Sequence, residues 1–187
     1  MAMNYSYLIN ETAEDRSWLK EAAVILGASI IIALFAPISI PLWFTPVPLA
    51  TQLPVILILS CLLGSKRAVL AVLTYILQGA SGLPVFAGGK AGALILAGPT
   101  GGYLLGYVVA AYLTGLLMER ASNRTPSRAF MAMGIGNLVV FLFGTSWLSQ
   151  FIGWKGAFVY GMLPFIVGDM IKLFVAERVL KRLRFYQ

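Results

Sequence analysis

Long apolar segments recur along this chain and limit what it can fold into. They alternate with short polar or glycine- and proline-containing stretches, and only 11% of the residues are charged, against about 25% in an ordinary soluble domain. A helix that crosses a bilayer needs roughly 20 apolar residues. The chain has 187 residues, which is enough for about six such helices with short loops. The sequence therefore predicts an all-α, polytopic membrane protein with no room for a soluble catalytic domain.

Breaks in the apolar pattern mark the ends of these predicted helices. Proline cannot continue a helix and glycine favours its termination. The predicted helices cover residues 18–36, 49–63, 68–80, 102–118, 129–150 and 156–182, with a basic turn at Ser65, Lys66 and Arg67 between the second and third. The glycine-rich stretch 81–102 is expected to continue at membrane depth as irregular backbone, which a membrane tolerates only where protein or a cavity covers it.

The distribution of positive charge predicts the orientation. Of the 14 basic residues, most flank the predicted helices on the side of the two termini, whereas Lys90 and Lys155 lie opposite. By the positive-inside rule both termini are expected in the cytoplasm, with residues 1–17 as a polar tail and 18–187 as one membrane domain. The basic residues are scattered between apolar segments rather than aligned on a stripe, so the net charge of +7 indicates contact with membrane lipid and not with nucleic acid.

Several classes of enzyme and metal site lack the residues they need. The chain has no histidine and one cysteine, Cys61, in an apolar segment, so a metal site is not expected. The glycines around Lys90 suggest a phosphate-binding loop, but that motif needs glycine where Pro84 stands and serine or threonine where Ala91 stands. We therefore expect neither an enzyme nor a nucleotide-binding subunit.

Asp169 and Lys172 are the strongest functional signal, because both lie in the apolar run of the last helix. They are three residues apart and thus on one helical face, and an intramembrane charge costs at least about 2.5–3.5 kcal/mol at mid-span. The pair either lines a ligand pocket or forms a structural ion pair; a proton relay is a third possibility. In a pocket, Asp169 would accept N–H donors and Lys172 would donate to a carbonyl or carboxylate.

Small residues one turn apart on the first helix let another helix approach closely. These are Ala23 with Gly27, and Ser29 with Ala33. The neighbouring helix belongs either to this chain or to a partner protein.

The glycine- and proline-containing strings resemble the signature of the BioY family. The resemblance covers essentially the first to the last predicted helix, and is carried by Gly82–Gly89 (GLPVFAGG), Gly98–Tyr103 (GPTGGY), Pro41–Gln52, and Gly168 with Asp169 and Lys172. It implies a six-helix membrane subunit that captures biotin as its ligand, without a cofactor. Transport would then require a transmembrane coupling protein (T component) and a pair of cytoplasmic ABC ATPases, with the small residues of helix one as the docking surface.

The resemblance also suggests which residues form the pocket. The expected biotin-binding residues are Asp169, Lys172, Gln52, Tyr103, Phe86, Gly88, Gly89, Trp43, Thr45 and Asn137. For the glycine-rich loop, a packing role without ligand contact is the alternative. Two other functions are less well supported by the sequence. An ion-driven secondary transporter needs coupling sites and alternating halves, neither of which the sequence shows convincingly. An intramembrane enzyme needs a nucleophile or metal constellation, and the absence of histidine argues against it.

Overall fold

The computed structural model describes residues 6–183 and 185, with side chains from residue 18 onward. Within these residues the chain is all-α, as predicted, apart from one small hairpin and one 3-10 turn. The helices are α1 (Ser6–Phe35), α2 (Gln52–Leu63), α3 (Ser65–Ala80), α4 (Leu94–Ala97), α5 (Gly101–Glu119), α6 (Pro126–Gly161) and α7 (Leu163–Arg182). The six long helices thus form a polytopic membrane protein.

The outer faces of the bundle are apolar, as expected for a chain surrounded by lipid. Leu34, Leu142 and Val167 are each about two thirds exposed or more, at 67%, 67% and 70%. Three of the described helices are long and apolar enough to span a bilayer by length and composition. They are α5, α6 and the part of α1 from residue 18 to residue 35. α5 packs against α2, α3 and α6 and so lies at the centre of the bundle.

α1 begins earlier than the sequence predicted. The helix starts at Ser6, so most of the predicted tail 1–17 is helical, and residues 1–5 lie outside the described residues. The helix is thus continuous across residue 17, and the division of the chain at this point stays a prediction. The cytoplasmic position of this segment stays a prediction.

A single glycine, rather than a basic turn, separates α2 from α3. Gly64 has φ 81°, and Ser65, Lys66 and Arg67 form the first turn of α3, which corrects the predicted turn. The start of α3 is held by a carboxylate from α5: Glu119 Oε1 accepts from the Ser65 N–H at 2.7 Å and its Oε2 from the Ser65 hydroxyl at 2.8 Å. With 16 residues, α3 rises about 24 Å at 1.5 Å per residue.

The predicted fifth and sixth helices are divided differently in the structure. α6 continues beyond Gln150 to Gly161, with one residue, Gly153, outside helical geometry at φ 73° and ψ 162°. A second break lies at Met162, where φ is −125° and ψ −57°. Pro164 accounts for this break, because proline has no N–H and its ring clashes with the preceding helical turn.

The two irregular segments of the chain meet beside the helix ends. Strand β1 (Ser39–Ile40) pairs antiparallel with β2 (Leu49–Ala50), and β1 also contacts the 3-10 turn Ala87–Gly89. The stretch 81–100 is mostly irregular, as predicted, and contains this turn and α4. These segments cover one end of the bundle and form part of the cavity described next.

Candidate functional site

Two adjoining cavities lie between the hairpin, the glycine-rich segment and the helices. The loop lobe has about 460 Å³ of unfilled space including its open mouth, and the helix lobe about 360 Å³. Both are lined by Val47, Pro48, Ala50, Tyr103 and Tyr107. Because they share this wall, they adjoin and form the two lobes of one site.

The helix lobe contains the charged pair that the sequence singled out. Asp169 is only 5% exposed, and its Oδ1 accepts from the Lys172 ammonium at 3.0 Å. Lys172 also donates to the Ala50 carbonyl at 2.9 Å, so it links α7 to β2. Among the described residues only Oδ1 of Asp169 receives a hydrogen bond, so Oδ2 keeps its capacity to accept. The lobe that Asp169 lines is also bordered by apolar residues such as Phe165.

A second polar group joins three helices beside the shared wall. Gln52 of α2 is 3% exposed; its Oε1 accepts from the Tyr75 hydroxyl of α3 at 2.9 Å, and its Nε2 donates to the Tyr107 hydroxyl of α5 at 2.9 Å. This arrangement satisfies both ends of a buried amide, which an isolated glutamine in a membrane bundle would leave unpaired. Gln52 lines the loop lobe directly.

Tyr103 is held by the break between α6 and α7. Its hydroxyl donates to the Gly161 carbonyl at 2.7 Å. In a continuous helix that carbonyl would accept from the N–H of Phe165, but this N–H bonds to Met162 instead, at 3.0 Å. Gly161 also has to lack a side chain, since a Cβ there would lie 2.6 Å from the Tyr103 oxygen. The break thus fixes the orientation of a ring that lines both lobes.

Phe86 and the two glycines after it shape the loop lobe. Phe86 is 2% exposed, lines the lobe and packs edge-on to Tyr75 at 5.8 Å between ring centroids. Gly88 and Gly89 have φ 73° and 70°, the left-handed region that glycine adopts without strain. They turn the chain so that the Phe86 N–H donates to the Lys90 carbonyl at 3.0 Å. Neither glycine lines the loop lobe or the helix lobe, and their contact with a ligand stays a prediction.

Besides the two glycines, three more predicted binding residues lie outside both lobes. Trp43 is 96% exposed at the hairpin loop, and its contact with a ligand stays a prediction. Thr45 is buried, but its hydroxyl accepts from the Val47 N–H at 3.2 Å and shapes the hairpin. Asn137 lines a separate space of about 150 Å³ together with Asp169 and Lys172, and its buried Oδ1 has no hydrogen-bond partner among the described residues.

The small residues of α1 do not share one surface. Ala23 is exposed, and a Cβ on Gly27 would meet no atom within 4 Å. Ser29, in contrast, is fully buried and accepts from the Gln78 amide of α3 at 3.2 Å; a docking role for Ser29 stays a prediction. Ala33 is half-buried. Only the outer part of the predicted docking surface is free to meet a partner.

Sequence reasoning missed several residues that line the site. Tyr107 lines both lobes, and Lys90, predicted only as an external charge, lines the loop lobe. A signal for Tyr107 was present, because it lies four residues after Tyr103 and such residues share a helical face. Nothing in the local pattern around Lys90 indicated that its backbone folds back onto Phe86.

The chain is similar to proteins from several prokaryotes. The model of the BioY family matches residues 8–186. A probable biotin transporter BioY of Pyrococcus horikoshii is 35% identical over 88% of this chain and 96% of its own length, and a biotin transporter BioY of Thermotoga maritima is 40% identical over 82% and 89%.

A solved crystal structure has the same fold. It is that of the S-component for biotin from an ECF-type ABC transporter, and it matches with a TM-score of 0.82 and 26% identity, over 92% of this chain and 94% of that one.

Proposed function

Because the chain belongs to the BioY family, we propose that it is the biotin-binding subunit of an ECF-type importer in the prokaryotic plasma membrane. The observation that carries this proposal is the buried Asp169–Lys172 pair, 3.0 Å apart, facing a lobe with an apolar wall. An intramembrane ion pair beside a cavity is the arrangement expected of a ligand site.

Biotin matches the chemistry of the two lobes. Its ureido ring offers two N–H donors and one carbonyl acceptor, its fused rings and thioether are apolar, and its chain ends in a carboxylate. Asp169 lies at the helix lobe, where its open oxygen suits an N–H donor, and Phe165 and Val47 suit the apolar rings. Lys90 lies in the loop lobe and suits the carboxylate.

Import would require partners that this chain does not supply. The glycine-rich loop lacks the residues of a phosphate-binding motif, and the relatives are named transporters. We infer that a transmembrane coupling protein and a pair of ABC ATPases complete the importer. The exposed part of α1 around Ala23 and Gly27 offers a close-packing surface for the coupling protein.

Equilibrium binding tests the proposal directly. The purified chain in detergent is incubated with radiolabelled biotin, and other vitamins are added as competitors. We expect one saturable site per chain. Unlabelled biotin should displace the radiolabelled biotin from it, and the other vitamins should not. Equal competition by unrelated vitamins, or no saturable binding by a folded chain, would overturn the assignment.

A further inference from the structure

We propose that Tyr107 is a specificity-determining hydrogen-bond donor of this site, with its hydroxyl proton directed to the ureido carbonyl of biotin by Gln52 and Tyr75. The inference rests on the proposed function and deepens it. It assigns a donor to the ring carbonyl of biotin, which the Asp169 carboxylate cannot recognise, because an ionised carboxylate only accepts hydrogen bonds.

The direction of the hydrogen bonds around Gln52 sets the position of the free proton. Tyr75 donates to Gln52 Oε1, and Gln52 Nε2 donates to the Tyr107 oxygen. The Tyr107 oxygen therefore acts as an acceptor toward Gln52, and its own proton has to point elsewhere. Among the described residues no acceptor receives that proton, and Tyr107 lines both lobes.

The opposite orientation of the amide is disfavoured by burial. If the amide of Gln52 were flipped, its nitrogen would donate to Tyr75 and its oxygen would accept from Tyr107. The free proton would then be on Tyr75, which is fully buried and lines neither lobe. An unpaired buried donor on Tyr75 would cost about 1–3 kcal/mol. The hydroxyl proton of Tyr107, in contrast, belongs to a residue that lines the cavity, where a ligand can accept it. The network thus selects the orientation in which Tyr107 is the donor.

The position of Tyr107 suits the ring rather than the carboxylate. It lies on the wall shared by the lobes and borders the helix lobe together with Asp169 and Lys172. A ureido ring whose N–H groups face Asp169 has its carbonyl next to those N–H groups, within the same lobe. Asp169 then accepts from an N–H of the ring, and Tyr107, as a neutral donor, donates to the carbonyl of the same ring.

A cycle of variants and ligands isolates this contact. Tyr107→Phe removes the hydroxyl, and 2-iminobiotin, which is protonated at neutral pH, replaces the carbonyl by a group that cannot accept. We expect Tyr107→Phe to weaken biotin binding about 10-fold, as for loss of a buried hydrogen bond, and to leave 2-iminobiotin affinity almost unchanged. Tyr112→Phe, on an exposed tyrosine of the same helix, is the matched control and should leave both affinities unchanged.

Biotin carboxamide distinguishes the ring from the carboxylate. If Tyr107→Phe lowers the affinity for the carboxamide as much as for biotin, the contact is independent of the carboxylate, as proposed. A smaller effect on the carboxamide than on biotin would place Tyr107 at the carboxylate and overturn the inference. Unchanged biotin affinity in Tyr107→Phe would also overturn it, whereas a wild-type chain that fails to bind biotin would refute the proposed function itself.

A second variant tests the direction of the hydrogen bonds around Gln52 without changing Tyr107. In Gln52→Glu, assayed at a pH alkaline enough to ionise the buried carboxyl, the side chain accepts from both Tyr75 and Tyr107, so the proton of Tyr107 turns away from the ligand; at lower pH the protonated acid keeps a donor toward Tyr107 and serves as the internal control. We expect a loss of biotin affinity of about the same factor, about 10-fold, again with little effect on 2-iminobiotin. Thermal unfolding confirms that each variant is folded, and a folded Gln52→Glu chain with normal preference for biotin over 2-iminobiotin would contradict the proposed direction of the network.

Discussion

Replacing Asp169 by asparagine separates a ligand contact from a structural ion pair. The substitution keeps the volume but removes the charge and turns one oxygen into a donor. In the structure Lys172 lies 3.0 Å from Asp169 Oδ1 and 2.9 Å from the Ala50 carbonyl. After the substitution the ammonium keeps the carbonyl but loses its charged partner.

The expected effects follow from this geometry. Breaking a buried ion pair from one side costs about 3–5 kcal/mol, and we expect the lower end because Lys172 keeps a carbonyl and its side chain is 20% exposed. A charge-assisted hydrogen bond to the ligand contributes about 1.5–3 kcal/mol, so biotin affinity should fall about 10- to 150-fold. The double variant with Lys172→Met should regain stability, since it removes the unpaired charge.

Two measurements on each variant decide between the roles. Thermal unfolding in detergent gives the stability, and isothermal titration with biotin gives the affinity. If Asp169 contacts the ligand, the double variant is stable but still binds weakly. Recovery of near-normal affinity together with stability would mean that the pair is structural only, and a stable Asp169→Asn chain with unchanged affinity would remove Asp169 from the site.

Three further predictions concern orientation, energy coupling and the loop lobe. In a cysteine-free background, an impermeant thiol reagent should label cysteine in place of Lys155 in intact cells but not in place of Arg124; the reverse pattern would invert the topology. The purified chain should not hydrolyse ATP, and robust hydrolysis by contaminant-free protein would refute the need for separate ATPases. Gly79→Ala should displace Phe86, whose ring atom Cε2 lies 2.6 Å from the added Cβ, and lower biotin affinity in a titration. The control Gly134→Ala meets no atom within 4 Å and should raise stability by about 0.5–1 kcal/mol; equal affinity loss in both variants would exclude a specific role for the ring.

Much of the fold followed from local features of the sequence. Apolar length, glycines and prolines predicted a polytopic helical bundle with an irregular segment between its third and fourth long helices, and the structure confirms both. Helix boundaries were less predictable: Pro164 shifted a break to Met162, and α3 began directly after Gly64. These ends depend on contacts such as the Glu119 carboxylate, which lies 54 residues from Ser65 in sequence.

The sequence by itself determined that Asp169 and Lys172 face the same way, because three residues nearly complete a helical turn and lipid excludes unpaired charge. Only the tertiary structure decided how Gln52, which the resemblance had also indicated, meets two tyrosines beside them. The partners Gln52, Tyr75 and Tyr107 come from three helices and meet at 2.9 Å, while Trp43 lies outside and Ser29 is buried. The physical reason is that lipid is as apolar as the protein interior. Hydropathy therefore shows which segments enter the membrane but not which face of each helix turns inward, and packing between helices settles that.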